Sequence, residues 1–212
     1  MNVYFVRHFK TLGNTQKRYI GRTDEALFQP ELQLAPQGLP AQPDAIFVSP
    51  MLRCLQTKAL LYPTQSHTVI DDLRELDFGV FEGLTYADLQ DNPAYRNFID
   101  GLASPPQGEE STAFRSRCAA AFGRIMQDIT MQSHTAQNIP PQVPTAPPAQ
   151  ASAPQNIIII CHGGTIMSIV QAFAPKGETR GFYDHQIANG ALLHCKWDGQ
   201  ALMVLPTPPA NQ

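Results

Sequence analysis

Short apolar runs alternate with longer stretches of helical periodicity along the chain. Val3 to Val6 is apolar and β-rich, and Ala45 to Val48 is a second such run. Thr68-Val69-Ile70 is a weaker third. Ile157 to Cys161 holds five consecutive apolar residues, four of them β-branched, the signature of a strand buried on both faces. Ala191 to Cys195 and Leu202 to Leu205 flank Asp198-Gly199, a hairpin turn signal. Between the runs lie the predicted helices. Ser49-Pro50 reads as an N-cap followed by proline in the first turn, opening a helix to about Leu61. Ser111 is the predicted cap of a long helix whose apolar face is Phe114, Cys118, Phe122, Ile125 and Ile129. Thr165 to Phe173 predicts another helix directly after the isoleucine strand. Strands alternating with helices imply an α/β fold with a central, mainly parallel sheet covered on both faces.

Composition narrows the class. A chain of 212 residues with 43% hydrophobic content suits one domain, 1–212, with a core large enough to fold alone. The formal net charge of −3 offers no global basic field for nucleic acid or for an anionic membrane. The N-terminus has no basic region ahead of its apolar run, and no apolar stretch approaches a membrane span. Cys54, Cys118, Cys161 and Cys195 are widely separated and read as reduced core residues of a cytoplasmic protein. From about Gln132 to Gln155 the pattern fails: six prolines stand among Gln, Ala, Thr and Ser with almost no large apolar residue. This predicts a flexible insertion between a helix and the next strand. A docking peptide is the weaker alternative, because no P-x-x-P is flanked by basic residues.

In an open parallel sheet, ligands bind beyond the carboxyl ends of the strands. After the first strand come Arg7 and His8; after the second, Ser49 and then Arg53; after the third, Glu75. After the isoleucine strand comes His162, then Gly163-Gly164-Thr165. Two histidines, two arginines and a carboxylate therefore converge on one rim. These types suit phosphoryl transfer, in which charge on the equatorial oxygens is stabilised by positioned cations. Arginine binds phosphate bidentately, and neighbouring cations keep a histidine nucleophile neutral. A carboxylic acid can protonate the leaving oxygen, and amides at a helix start favour anions. Each residue alone has a structural reading, and a zinc site from His8, His162 and a cysteine fits none of the usual ligand spacings.

Taken together the motifs resemble the histidine phosphatase superfamily, in the branch that includes the phosphoglycerate mutases. Val6 to Asn14 resembles R-H-G-[ET]-T-x-x-N, and Gly21 to Leu27 resembles G-x-x-D-x-P-L. Ser49 to Thr57 resembles S-x-x-x-R-A-x-x-T, Leu73 to Gly83 resembles L-x-E-x-x-x-G-x-x-E-G, and Cys161 to Gly164 resembles S-H-G-G. The resemblance implies a three-layer sandwich and a phosphohistidine mechanism without metal or cofactor. It implies His8 as nucleophile, Arg7, Arg53 and His162 as phosphoryl clamps, and Glu75 as proton donor. It also implies Asn14, Thr23 and Gly163 beside the substrate. Glu82 is the rival acid, set aside because its E-G position suits a turn. Two departures matter. Phe9 stands where glycine is usual, and a bulky ring there is expected to narrow the pocket or to demand an apolar substrate part. Gln33 to Pro43 carries three prolines where the family has a helix, so loop is expected to cover part of the sheet.

Phosphatase and mutase share the phosphohistidine and differ in the acceptor. A mutase needs extra cations over the site, and Arg96 is the one basic residue between Gly83 and Glu110. Hydrolysis of a small phosphomonoester is therefore the preferred reading. Alternatives are α-ribazole-5'-phosphate hydrolysis, which the resemblance to bacterial members suggests, mutase activity, and a non-catalytic relative that binds phosphorylated ligands.

Overall fold

The computed structural model describes residues 1–137, 155–175 and 181–206. Its strands are β1 (Asn2–Arg7), β2 (Ala45–Val48), β3 (Thr68–Val69), β4 (Asn156–Cys161), β5 (Leu192–Trp197) and β6 (Leu202–Val204). Its α-helices are α1 (Leu12–Thr15), α2 (Leu52–Leu61), α3 (Tyr86–Leu89), α4 (Pro93–Ile99), α5 (Ser111–Gln137) and α6 (Gly163–Phe173). The strands form one sheet in the order β3-β2-β4-β1-β5-β6. The first four of these are parallel, while β5 runs antiparallel to β1 and β6 antiparallel to β5. The mainly parallel, helix-flanked sheet expected from the sequence is thus present, with an antiparallel hairpin along one edge.

The isoleucine run explains the layering. Ile157 and Ile159 join Val3, Phe5, Phe122 and Ile166 on the face covered by α5 and α6. Ile158 and Ile160 join Tyr4, Val6, Ile46 and Val48 on the face covered by α2. All four isoleucines are fully buried, and each contributes about 1.5–3 kcal/mol of burial free energy. The second face is completed by loop, as expected: Leu39 packs against it, and the Tyr62 hydroxyl donates to the Pro40 carbonyl at 2.9 Å. A small third cluster, Phe81, Leu89 and Tyr95, sits to one side with Tyr19, Phe78 and Phe98 packed on it. The four cysteines are free and buried.

Several element ends differ from expectation. Ser49 does not cap α2; that helix starts at Leu52, with Met51 in the cap position and no side-chain cap. The Ser49 hydroxyl is engaged by His162, and Asp24 Oδ1 accepts the Leu52 amide at 2.7 Å instead. Ser111 is likewise not the cap of α5. The Glu110 carboxylate accepts the amides of Thr112 and Ala113, and with the Thr112 hydroxyl these bonds lower its pKa to about 2. Helix α6 begins two residues early, at Gly163. Ile70 falls outside β3, and the hairpin turn spans Asp198 to Ala201, with Asp198 Oδ1 accepting two amides. Helix α5 continues to Gln137, so the proline-rich stretch expected from Gln132 begins as helix. Its remainder, 138–154, lies outside the described residues.

Candidate active site

The register of β1 against β4 pairs Arg7 with Cys161. The residue that follows each strand is a histidine, so this pairing brings His8 and His162 together. The His8 amide donates to the Cys161 carbonyl at 3.0 Å, and the ring centroids are 5.1 Å apart at 62°. Both rings are buried, at 4% and 0% exposure.

Their hydrogen bonds give the two imidazoles opposite roles. His8 Nδ1 lies 2.7 Å from the Phe9 carbonyl oxygen, which can only accept, so Nδ1 carries the proton and Nε2 keeps its lone pair. His162 Nδ1 accepts Arg53 Nε–H at 3.2 Å, so its proton is on Nε2, facing Ser49 Oγ at 2.8 Å. Burial first, and then the Arg53 charge, hold both rings well below the usual imidazole pKa. Arg7 adds to this at both rings, and the Phe9 bond partly opposes it at His8.

Arg53 is fully buried. Its two terminal nitrogens donate to the carbonyls of Thr23 and Gly21 at 2.8 Å each. Glu82 Oε1 accepts the amides of Gly21 and Thr23 at 2.8 and 2.9 Å. Glu82 therefore braces the loop that braces Arg53, and it does not line the cleft. Thr23 takes part through its main chain, its amide donating to Glu82 and its carbonyl accepting from Arg53. Arg53 and His162 also form a layer beneath the cleft surface rather than an open clamp.

The cleft itself encloses about 610 Å³. Arg7, His8, Asn14, Glu75 and Gly163 reach it. Arg7 donates to the Ile187 carbonyl at 2.8 Å, and its Nε is buried without a partner among the described residues. Asn14 Oδ1 accepts from Thr11 N and Asn189 Nδ2, each at 3.2 Å. Glu75 accepts the amides of Leu76 and Gly164, one on each oxygen, at 3.0 Å. The paired glycines let two charged side chains pack close: a Cβ at 164 would lie 2.4 Å from Glu75 Oε1, and one at 163 would lie 3.2 Å from Arg7 Cζ, so either would press on the site residues.

Phe9 does not narrow this cleft. It is 2% exposed, its amide donates to Thr57 Oγ1 at 3.0 Å, and its ring packs on Gly190. Gly190 has φ +75, and a Cβ there would lie 2.7 Å from the Phe9 ring. The bulky residue after His8 is thus matched by a missing side chain opposite.

Sequence reasoning missed much of the lining. Asn189 donates to the His8 carbonyl at 3.2 Å, and Lys17, Arg18 and Arg115 bring cations to the cleft. These cations come from outside the Gly83 to Glu110 segment, where the sequence pointed. Arg96 pairs with Asp91 on the exposed surface, and that segment supplies Phe98, Ile99, Asp100 and Gly101 instead. Among the described residues no cluster of three or more His, Cys, Asp or Glu side chains is placed to hold a metal ion. Among them, too, no helix is long and apolar enough to cross a membrane.

An α/β sheet with two buried neutral imidazoles, paired arginines and a carboxylate at its carboxyl rim defines a phosphoryl-transfer class of protein. Residues 3–134 match the model of the histidine phosphatase superfamily, branch 1, and the chain belongs to that family. A relative from Hydrogenobacter thermophilus, named "Putative phosphoserine phosphatase 2", is 26% identical over 180 residues, covering 79% of this chain and 76% of that one. A relative from Proteus mirabilis, named "Probable phosphoglycerate mutase GpmB", is 33% identical over 136 residues, covering 59% of this chain and 63% of that one. The crystal structure of the α-ribazole phosphatase from Shigella flexneri shares the fold with a TM-score of 0.70 at 18% identity, covering 97% of this chain and 95% of that one.

Proposed function

We propose that this enzyme hydrolyses a small phosphomonoester through a phosphohistidine at His8. The observation that carries the reading is the Phe9 carbonyl holding the Nδ1 proton, which leaves Nε2 of a buried, neutral ring with its lone pair. In the first step Nε2 forms a bond to phosphorus as the ester P–O bond breaks, and the leaving oxygen takes the Glu75 carboxyl proton. In the second, water gives a proton to the Glu75 carboxylate as its oxygen bonds phosphorus and the N–P bond breaks. Inorganic phosphate leaves and His8 is neutral again. Arg7, with its uncommitted buried Nε, and the Gly163 amide at the start of α6 suit the charged oxygens. Asn14 is held beside them by Thr11 and Asn189. In this reading Arg53 and His162 stabilise the phosphoryl group from below, their charge and dipole acting at short range in a buried setting. The free cysteines fit a reducing, cytoplasmic compartment.

Rapid quench with a labelled ester tests the scheme. Label is expected on the wild-type protein and absent from His8→Ala, with turnover lower by about four orders of magnitude or more. Label persisting on His8→Ala refutes the assignment. A mutase reading is favoured by one observation, the cations Lys17, Arg18 and Arg115 in the lining. Interconversion of 2- and 3-phosphoglycerate faster than phosphate release would establish it.

A further inference from the structure

Above its polar floor the cleft is aromatic on two sides. One wall is Tyr19, Phe78 and Phe98, with the Tyr19–Phe78 rings 5.1 Å apart at 60° and the Phe78–Phe98 rings 6.2 Å apart at 82°. The cluster of Phe81, Leu89 and Tyr95 backs it, which fixes these rings in place. The other wall is the 3-10 turn Phe182–His185, where Phe182 and Tyr183 meet at 5.3 Å and 84°. Arg115 Cζ lies 4.9 Å over the Phe182 ring and makes no ion pair among the described residues. Tyr19, Phe78, Phe98, Phe182 and Tyr183 all line this one cleft. The Tyr19 hydroxyl pKa is raised by burial and by Tyr95, with a smaller contribution from Tyr183.

Partly exposed ring faces in a concave site are costly to leave wet, and a flat ligand covers them with stacked or edge-to-face contacts. An arginine already laid on one ring accepts a second π-system on the same terms. A cleft of about 610 Å³ is also in the range that encloses a ring-bearing ligand. The organic part of a three-carbon ester would touch the floor and leave these walls in water.

We propose that the alcohol portion of the substrate carries a flat aromatic ring, held between the Tyr19–Phe78–Phe98 wall and the Phe182–Tyr183 wall while its phosphate reaches His8. The proposal rests on the phosphatase reading, and two measurements keep the two apart. The first is kcat/KM for propyl, 3-cyclohexylpropyl and 3-phenylpropyl phosphate, whose leaving oxygens are alike. The second is binding of the corresponding uncleavable alkyl- and arylalkylphosphonates by calorimetry. The phenyl ester is expected to exceed the propyl ester by about tenfold and the cyclohexyl ester by several-fold, with the phosphonates ranked the same way. Phe182→Ala should bring the phenyl-to-propyl ratio toward one, and Tyr183→Ala should lower it. Because each ratio is taken within one protein sample, a fall in folded fraction leaves it unchanged. Equal ratios, a cyclohexyl group as good as phenyl, or ratios untouched in both variants would overturn the proposal. Tight, ring-selective phosphonate binding with no ester cleaved would instead refute the phosphatase reading and leave the ring site standing.

Discussion

At the floor of the cleft, His8, Arg53 and His162 are 4%, 0% and 0% exposed, and both terminal nitrogens of Arg53 are bonded to main-chain carbonyls. On the wall, Tyr183 is 49% exposed and Arg115 rests on a ring rather than on a carboxylate. The floor keeps three polar side chains out of water and anchors each by hydrogen bonds made in advance, so their positions are set before any ligand arrives. The wall keeps apolar surface in water and is completed only by what binds. Chemistry common to a family belongs on the first kind of surface, and selection among substrates on the second.

The sharpest way to break this contrast is Glu75→Gln, which keeps the shape of a floor residue and removes its proton. Turnover of esters with poor leaving groups should fall by about a thousandfold, and of p-nitrophenyl phosphate much less. Equal losses would move the acid elsewhere. Next comes the support under the floor. Phe9→Ala opens a void against Gly190 and should cost about 3 kcal/mol of stability in denaturant titration. A smaller figure would mean the floor is not built on that packing. The buried rings give a smaller and graded effect. His8 and His162 have folded pKa values below their unfolded value of about 6.5, so the unfolded chain binds more protons below that pH. Stability is therefore full above about pH 6.5 and falls beneath it, by up to about 1.4 kcal/mol per pH unit for each ring. A stability curve flat from pH 7 to pH 5 would contradict the burial of two neutral imidazoles. On the wall, Tyr183→Ala should change stability by no more than about 0.5 kcal/mol, read from the same titrations.

The floor was largely legible in the sequence because parallel strands deliver the residues after them to one rim. Arg7-His8 and His162-Gly163-Gly164 needed only that rule. The wall was not, for two reasons. Its residues come from α4, α5 and loops whose positions depend on tertiary packing. In addition, β5 runs against β1, so the segment preceding it arrives at the rim. Applying the rule in reverse to that strand would have found Ile187, Asn189 and Gly190. Burial was equally invisible: Arg53 reads as a clamp in one dimension, and its retreat beneath the surface depends on Glu82 holding the 21–23 loop. The helix caps failed for a related reason. Ser49 had the right chemistry for a cap, but the nearby imidazole engages its hydroxyl.

That reversed strand also sets when the enzyme can begin to work. Arg7 is held by the carbonyl of Ile187, 180 positions later, and the His8 carbonyl is held by Asn189 and Gly190. Contacts of such sequence separation close late in folding. A growing polypeptide that had already displayed every recognisable motif through Gly164 would still lack the clasp on His8. Activity should appear only once the segment from Ile187 to Gly190 has docked on Arg7 and His8.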